Sequence, residues 1–385
     1  MIQRVIGRAG RVGVLAVWTA AMALVAATAA GAATPVNVAC GDSAGLVAAV
    51  NAANAGGGGT ISLAAGCTYT LTTRNNTVMG GNGLPVVTSP ITINGKGATI
   101  AGNNTNFRII AIDGSSGGAL TLNGVTITGG HVLGNGPAGA GGGILNFSGT
   151  LTVNNAVVTH NFALSAGGGI ANAIGATARV NKSTVSWNTV PDTGNGGGGG
   201  GVLSIASTIT LNQSVVDHNS SPGGGGIASG NGGGGPVSSI TINNSVISNN
   251  TAISPDGGGG GIVNGGTLHS NNSQIIDNTA DESIGGGLFN HATAQLNNTV
   301  VTGNTVPGGL GGGIANTTFD AAVPATLVMN NGQVTGNSAD GGAGGIFSFS
   351  FDPAGTASAT LHNTNVSSNT PDNCEPPGSV SGCSG

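Results

Sequence analysis

Five side chains of this sequence form a pattern that suits ligand binding. His160, Trp187 and His218 each stand directly before an asparagine, at intervals of 27 and 31 residues, and Asp217 adjoins His218. Asp277 occupies the same position two intervals later. An aromatic ring with titratable neighbours can bind sugars by stacking and hydrogen bonding. These five residues are the predicted ligand-binding face, and the alternative interpretation is a row of ordinary turn residues.

A second set of side chains has the chemistry of a calcium site. Acidic residues recur just before glycine-rich segments, at Asp192, Asp256, Asp281, Glu282 and Asp340, and calcium prefers such oxygen ligands. The regular G-G-x-G-x-D calcium repeat is absent from the sequence. We therefore interpret these acids as solvated loop residues and expect no cofactor and no metal. The alternative is a bound calcium ion.

The four cysteines indicate disulfides. Cys40 and Cys67 lie near the start of the chain, and Cys374 and Cys383 lie near its end. An even number of cysteines in two local pairs is typical of an exported protein. The C-x-x-C spacing of a zinc site is absent. The predicted bridges are Cys40 to Cys67 and Cys374 to Cys383.

The first 32 residues have the features of a secretory signal peptide. Arg4, Arg8 and Arg11 precede an apolar stretch that ends in small residues suited to cleavage. No second apolar run of membrane-spanning length follows. We therefore expect a secreted, extracellular protein, free or associated with the cell surface, with no membrane span after removal of the signal.

Few basic residues remain beyond that segment. They are Arg74, Lys96, Arg108, Arg179 and Lys182, against 13 acidic residues in the whole chain. Binding to nucleic acid requires clusters of basic side chains. Nucleic acid is therefore excluded as a partner, and a polysaccharide or a cell-surface protein is the expected one.

The elements that must position these residues come from a repeat of 26 to 33 residues. Clear copies are NNAVVTHN at 154–161, NQSVVDHN at 212–219 and NNTVVTGN at 297–304. The fifth position is Val or Ile, the third is small and the fourth varies, which is the alternation of a strand with one buried face. Two further short strands accompany each copy. The sequence therefore predicts an all-β fold, a single right-handed parallel β-helix of about ten coils with three short strands per coil.

The β-helix assigns the repeated asparagines to two columns. Stacked asparagines can hydrogen-bond from coil to coil, and asparagine tolerates the left-handed conformation of tight turns. We interpret both columns as structural. One consists of Asn154, Asn181, Asn212, Asn243, Asn271, Asn297 and Asn330, and the other of Asn161, Asn188, Asn219, Asn250, Asn278, Asn304, Asn337 and Asn369.

Glycine-rich segments precede an inward Ile, Val or Leu in each coil. The longest is the run of six glycines at 196–201, before Val202. Its place inside the repeat predicts a corner of one solenoid, with an ordered end and a mobile beginning. The residue after the inward one is often apolar, and whether this column is exposed or covered by loops stays open. Its members are Leu145, Leu203, Val263, Phe289 and Phe347.

The repeat resembles that of the polymorphic outer-membrane protein family. The residues that carry the resemblance are GGGI at 141–144, 167–170 and 311–314, each coupled to a downstream V-x-x-N segment, over about 120–370. Members of that family have GGA[ILV] and FxxN motifs on a right-handed β-helix. This chain differs in lacking the phenylalanine and a following C-terminal barrel, so surface display by an autotransporter route is not supported.

The expected organisation has four segments. Residues 1–32 form the signal peptide, 33–90 an N-terminal cap and the first coils, 91–370 the β-helix repeats, and 371–385 a C-terminal tail with a disulfide. Within the cap, Asp42 or Ser43 begins a short helix whose Leu46, Val50 and Ala53 share one face. This helix is expected to cover the open first coil.

The sequence is poor in the groups that carbohydrate cleavage requires. Hydrolysis of a glycosidic bond needs two carboxylates flanking it, and the chain has no Asp-Asp pair. Pectate-lyase-like chemistry needs a calcium-binding acidic cluster and a base, but only Arg179 and Lys182 are basic in the central coils. We therefore expect a structural, adhesion or polymer-binding role without a catalytic site. The alternative is a carbohydrate-active enzyme, a polysaccharide lyase or glycoside hydrolase of the pectate-lyase-like superfold.

Overall fold

The computed structural model describes residues 34–103, 105–193, 197–230, 237–255 and 258–383. The expected signal peptide, Asp256 and the beginning of the six-glycine run lie outside the described residues. No helix of the described part is long and apolar enough to cross a membrane.

The repeat folds into a right-handed parallel β-helix of about ten turns, as the sequence predicts. Three series of strands form its faces, and each strand pairs in parallel with its equivalents on the coils before and after it. Equivalent repeat positions lie opposite one another: Asn181 is in register with Asn154 on one side and with Asn212 on the other. The stacked positions therefore form continuous columns. Successive residues within a column are about 4.8 Å apart, the spacing of neighbouring strands.

The first series begins each unit, and the short strand Val36–Val38 pairs with its first member. Its strands are Gly59–Leu63, the first halves of Pro90–Gly102 and Ala119–Thr128, Thr150–Asn154, Thr177–Asn181, Thr208–Asn212, Ser239–Asn243, Thr267–Asn271, Thr293–Asn297, Ala325–Asn330, Ala357–His362 and Val380–Ser381. The second series carries the V-x-x-N motif. Its strands are Thr68–Leu71, the second halves of Pro90–Gly102 and Ala119–Thr128, Val157–Thr159, Thr184–Ser186, Val215–Asp217, Val246–Ser248, Gln274–Ile276, Val300–Thr302, Gln333–Thr335 and Asn365–Ser367.

The third series follows the glycines. Its strands are Ile110–Asp113, Ile144–Phe147, Ile170–Ala173, Val202–Ile205, Ile227–Gly230, Ile262–Asn264, Leu288–Asn290, Ile314–Thr318, Ile346–Ser350 and Cys374–Glu375. The structure adds a fourth series of two-residue strands that the sequence analysis did not separate from the turns. These are His131–Val132, Phe162–Ala163, Ser220–Ser221, Thr251–Ala252, Thr279–Ala280, Thr305–Val306 and Ser338–Ala339.

One continuous apolar core fills the solenoid. The first three series each point one side of their strands inward, so that residues such as Val158, Ile209 and Ile262 are fully buried. Burying a Val, Leu or Ile side chain contributes about 1.5–3 kcal/mol. Because the same column is apolar on every coil, each coil covers the core of the next.

A helix, Ser43–Ala55, closes the N-terminal end. Asp42 is its N-cap, and the carboxylate accepts a hydrogen bond from the Gly45 backbone N–H at 2.7 Å. Leu46 and Val50 are fully buried in the solenoid core. Two short 3₁₀ helices, Gly114–Ser116 and Gly136–Gly139, lie in connections.

Disulfide bonds lie near both ends of the solenoid. They join Cys40 to Cys67 and Cys374 to Cys383, and no described cysteine is free. The first bridge ties the segment before the capping helix to the first coils. The second fastens the last two short strands of the fold.

The asparagine columns are hydrogen-bonded ladders. In the column of Asn154, each side-chain amide donates to the previous coil, as from Asn181 to Asn154 at 2.9 Å, and this ladder extends back to Asn94. In the column of Asn161 the amides donate in the opposite direction, as from Asn188 to Asn219 at 3.0 Å, and the side chains are buried. Each asparagine in this buried column, here called the inner ladder, also binds backbone groups of the turn. The inner ladder therefore fixes one corner of each coil that it crosses.

A third ladder was missed by the sequence analysis. Asn146 donates to Asn172, and Asn264 donates to Asn290, each at 2.7 Å. Each of these asparagines is the third residue of its strand in the third series, and its side chain is buried. Asn146 Oδ1 has no partner in the described part of the chain, because the residue opposite on the preceding coil is Ile112.

Glycine is required at these corners because the backbones of neighbouring coils approach closely there. Gly199 has a φ of +70°, which L-residues with side chains rarely adopt. At Gly200 a Cβ atom would lie 2.5 Å from the carbonyl oxygens of Gly225 and Ser220. The described end of the run is therefore a corner of the solenoid, while its first glycine lies outside the described residues.

The apolar column after the inward position is mostly covered. Leu145, Phe289 and Phe347 are buried, whereas Leu203 and Val263 are partly exposed. Loops flank this outer face of the third series, and a cavity of about 670 Å³ lies over Leu145 and Leu203. Farther along the same face, exposed phenylalanines pack on the column. They are Phe319, Phe349 and Phe351, at 59%, 42% and 45% exposure.

Candidate functional site

The predicted ligand-binding face lies in one column of corner residues. His160, Trp187, His218, Asn249 and Asp277 follow the second strand of five successive coils, and each has a φ between 52° and 56°. Other coils place Gly129, Gly303 and Gly336 there. Asparagine, aspartate and histidine tolerate this left-handed conformation, but for a bulky residue it is a genuine outlier. Trp187 is therefore the member of the column that the turn itself does not favour.

Three of these residues form a stack of rings, here called the ring ladder: His160, Trp187 and His218. The centroids of Trp187 and His218 are 4.2 Å apart with planes at 17°. The centroids of His160 and Trp187 are 6.2 Å apart with planes at 13°. The rings face one another along the axis of the solenoid, so their edges face outward. The outward side of the stack is therefore open to a ligand, and Trp187 is 52% exposed.

Asp217 orients one end of the ring ladder. Its Oδ2 lies 2.6 Å from His218 Nδ1. Its Oδ1 accepts hydrogen bonds from Ser248 Oγ at 2.8 Å and from Asn249 Nδ2 at 3.0 Å. A carboxylate can only accept, so His218 Nδ1 carries a proton. His218 Nε2 has no hydrogen-bond partner among the described residues.

The hydrogen bonds also set the charge of this carboxyl group. Partial burial works to raise the pKa of Asp217. Hydrogen bonds from Asn249, His218 and Ser248 outweigh burial and hold that pKa below its usual value. Asp217 is therefore a carboxylate at neutral pH.

The structure thus brings together four of the five predicted residues. Asp277 follows His218 by two coils, about 9.6 Å along the axis, with Asn249 between them. The sequence analysis missed Thr159 and Ser248, which bind His160 and Asp217. Both stand directly before the corner residue, so aligning the repeats by register would have found them.

The loop acids do not converge on a metal site. Among the described residues no group of three or more His, Cys, Asp or Glu side chains could hold a metal ion. Asp340 instead accepts a hydrogen bond from the Gly308 backbone N–H at 3.1 Å, and Asp256 lies outside the described part of the chain. Calcium therefore has no described set of ligands here.

A buried arginine outside the candidate site was also missed. Arg108 is fully buried and donates to five oxygens, four of them backbone carbonyls at 79, 137, 138 and 140 and the fifth Asn82 Oδ1. Burial lowers the pKa of Arg108 to about 10. This side chain fixes two connections beside the cavity over Leu145.

Comparisons with known proteins find structures of similar fold but no matching family. No protein-family model matches the chain, and no curated protein matches it. Among solved structures, the pectate lyase Pel9A is similar over 84% of this chain and 74% of its own, at 14% identity and a TM-score of 0.43. The A-module of the mannuronan C-5 epimerase AlgE6 of Azotobacter vinelandii is similar over 87% and 96%, at 14% identity and a TM-score of 0.42. The likeness of the repeats to polymorphic outer-membrane proteins stays a prediction.

Proposed function

We propose that this chain is an exported, non-enzymatic β-helix that binds a carbohydrate polymer along the ring ladder, in an adhesion or scaffold role. The observation that carries the proposal is Trp187, an indole held 52% exposed in a left-handed corner. Glycine fills the same corner on other coils, and a side chain there costs about 1–2 kcal/mol in backbone conformation. A large ring at this strained place suits contact with a ligand better than it suits the turn.

The outward edges of the ring ladder favour a polar ligand. The indole N–H of Trp187 is a donor, and His218 Nε2 has no hydrogen-bond partner among the described residues, because Asp217 binds the ring through Nδ1. Sugar hydroxyls both donate and accept hydrogen bonds. Rings repeated at about 4.8 Å per coil match a ligand that is extended rather than compact, which favours a polymer.

Export is part of this proposal. The two disulfides suit an oxidising compartment, where such bonds form and persist. The signal-peptide pattern of residues 1–32 agrees with that location. Attachment of the protein to the cell surface would give polymer binding an adhesive role.

A carbohydrate-active enzyme is the second candidate, and one observation favours it. His218 is held by Asp217 through Nδ1, which is how a carboxylate orients an imidazole that acts as a general base. Against it, both oxygens of Asp217 are hydrogen-bonded, so this group is not free to serve as the acid of a glycosidase pair.

An array of polysaccharides, read for binding and for new reducing or unsaturated ends, tests both candidates. The proposal expects retention of the wild-type chain on at least one polysaccharide, loss of retention in Trp187→Gly, and no new ends. Cleavage that is lost in His218→Gln would establish the enzyme instead. Retention that is equal in Trp187→Gly would place binding elsewhere and refute the role of the ring ladder.

A further inference from the structure

We propose that the polymer bound at the ring ladder is polyanionic, a polysaccharide that carries carboxylate or sulfate groups. This inference rests on the proposed function, because it names the class of ligand at the same site. It comes from the distribution of positive charge around Trp187.

The exposed cations of the central coils share one coil with Trp187. Arg179 and Lys182 are both exposed, and neither has an ion-pair or side-chain hydrogen-bond partner in the described part of the chain. Arg179 points outward from the first strand of this coil, in a column otherwise occupied by Thr152 and Thr210 on its neighbours. Unpaired cations in an otherwise acidic chain are available to a ligand.

Lys182 and Trp187 flank the same short strand, Thr184–Ser186. They are five positions apart, which is at most about 16.5 Å at roughly 3.3 Å per residue. Both occupy left-handed corners, with φ of 49° and 56°. A polymer bound at the ring ladder that is wide enough to reach across this face can therefore contact the indole edge and the Lys182 ammonium at once.

The segment that joins the two corners carries no negative charge of its own. Residues 179–187 include no acidic side chain. Asp217 lies on the next coil opposite Ser186, but its oxygens face His218, Ser248 and Asn249. The approach from the Lys182 side is therefore the electropositive one.

The geometry of the rings points to the same ligand. An aromatic ring is negative on its faces and positive at its edge. One face of Trp187 lies against His218 with the ring centroids 4.2 Å apart, and the His160 centroid is 6.2 Å from the indole on the other side, so a ligand that approaches from outside meets the edge of the indole. Acceptor oxygens, and above all charged ones, are the groups that such an edge attracts.

The test uses one glucan backbone in three charge forms: dextran, carboxymethyl-dextran and dextran sulfate. Binding of the full chain is measured at about 50 mM and 500 mM salt, since the higher concentration shortens the Debye length to a few ångströms. Lys182→Gln and Arg179→Gln are compared with Lys96→Gln. Lys96 is the matched control because it is an exposed lysine at the corresponding corner, which is enlarged by two residues, with a φ of 53°, three coils away.

We expect a charged dextran to bind, neutral dextran not to bind, and high salt to weaken binding. Lys182→Gln and Arg179→Gln should each raise Kd about two- to fivefold, the size of an exposed ion pair, while Lys96→Gln leaves it unchanged. Preference between the two charged forms identifies carboxylate or sulfate as the recognised group.

Two results would overturn the inference. One is equal binding of neutral and charged dextran with no salt dependence, and the other is no binding of either charged form. In both cases Trp187-dependent retention of neutral glycans on the array would leave the proposed function standing. Absence of any Trp187-dependent retention would remove both.

Discussion

At the scale of single residues, Trp187 joins an unfavourable backbone conformation to a favourable ring contact. The left-handed corner costs about 1–2 kcal/mol, and stacking on His218 offsets about 0.5–1.5 kcal/mol of it. The two effects nearly cancel. The indole is therefore close to neutral for folding, which leaves its exposed half to be explained by binding.

Replacement of Trp187 by glycine separates folding from binding. We expect Trp187→Gly to change the free energy of unfolding by less than about 1 kcal/mol, because strain and stacking are lost together. Polysaccharide binding should fall at least about tenfold, which corresponds to about 1.4 kcal/mol. Urea unfolding and retention on the array measure the two quantities. A loss of several kcal/mol in stability with unchanged binding would make Trp187 a structural residue.

The hydrogen bonds of Asp217 predict a pH dependence of stability. A carboxyl group whose pKa is lowered in the folded state stabilises the fold above its unfolded pKa, about 3.9 for Asp, and this contribution is lost as pH falls through the folded value. The melting temperature of the wild type should therefore exceed that of Asp217→Asn at pH 5 and above. The difference should shrink below about pH 4. A difference that grows on acidification would contradict the assigned hydrogen bonds.

At the scale of elements, the two long asparagine ladders differ in burial. Asn304 is fully buried, donates to Ile275 O and Asn337 Oδ1, and accepts from Asn278. Asn297, on the same coil, is partly exposed, and in the described part of the chain its side chain bonds only its two ladder neighbours. Of these two ladders, only the inner one, which contains Asn304, leaves buried polar groups without a partner when one asparagine side chain is removed.

A matched pair of variants measures this difference. Asn304→Ala should lower the free energy of unfolding by about 2–4 kcal/mol, because buried donors and acceptors lose their partners. Asn297→Ala should cost about 1 kcal/mol or less, since water can replace its bonds. Chemical unfolding of both variants gives the two values. Equal losses would mean that burial does not govern the strength of the ladders.

The strand series could be predicted from the sequence because their signal repeats. Val158, Val185 and Val216 recur in register, and stacking makes each copy evidence for the others. The third asparagine ladder could also have been predicted, since Asn146 and Asn172 are each the third residue of equivalent strands.

Features that occur once could not be predicted in this way. The five oxygens around Arg108 come from connections of unequal length, and no repeat position indicates that they meet. The face-to-face arrangement of the ring ladder depends on the φ of the corners, which the residue types of His160 and Trp187 do not reveal. The sequence predicted which residues share the column, and the structure supplied the direction of their rings.

At the scale of the whole molecule, the solenoid has one core and two ends that must be closed. The capping helix closes the first coil with Leu46 and Val50, and Cys40–Cys67 fastens the segment before it. An uncovered strand edge is a template for association with other chains. We therefore expect the N-terminal bridge to limit association between chains as well as to stabilise the fold.

Removal of this bridge tests the role of the cap. Cys40→Ser/Cys67→Ser should lower the free energy of unfolding by about 3.5 kcal/mol, the loop-closure contribution for a separation of 27 residues. It should also aggregate on warming, as measured by light scattering, because the buried face of the helix is released. The control is Cys374→Ser/Cys383→Ser, whose separation is 9 residues. Equal scattering by both variants would show that the cap does not depend on its bridge.

The central claim is that a polysaccharide binds at the ring ladder, and Trp187 reports on it directly. In a Trp18→Phe variant of the full chain, Trp187 is the sole tryptophan, so its fluorescence can be titrated with the polysaccharide that the array retains best. The account predicts a saturable change in emission and protection from acrylamide quenching, with the same Kd as retention. Saturable binding that leaves the emission and quenching of Trp187 unchanged would contradict it.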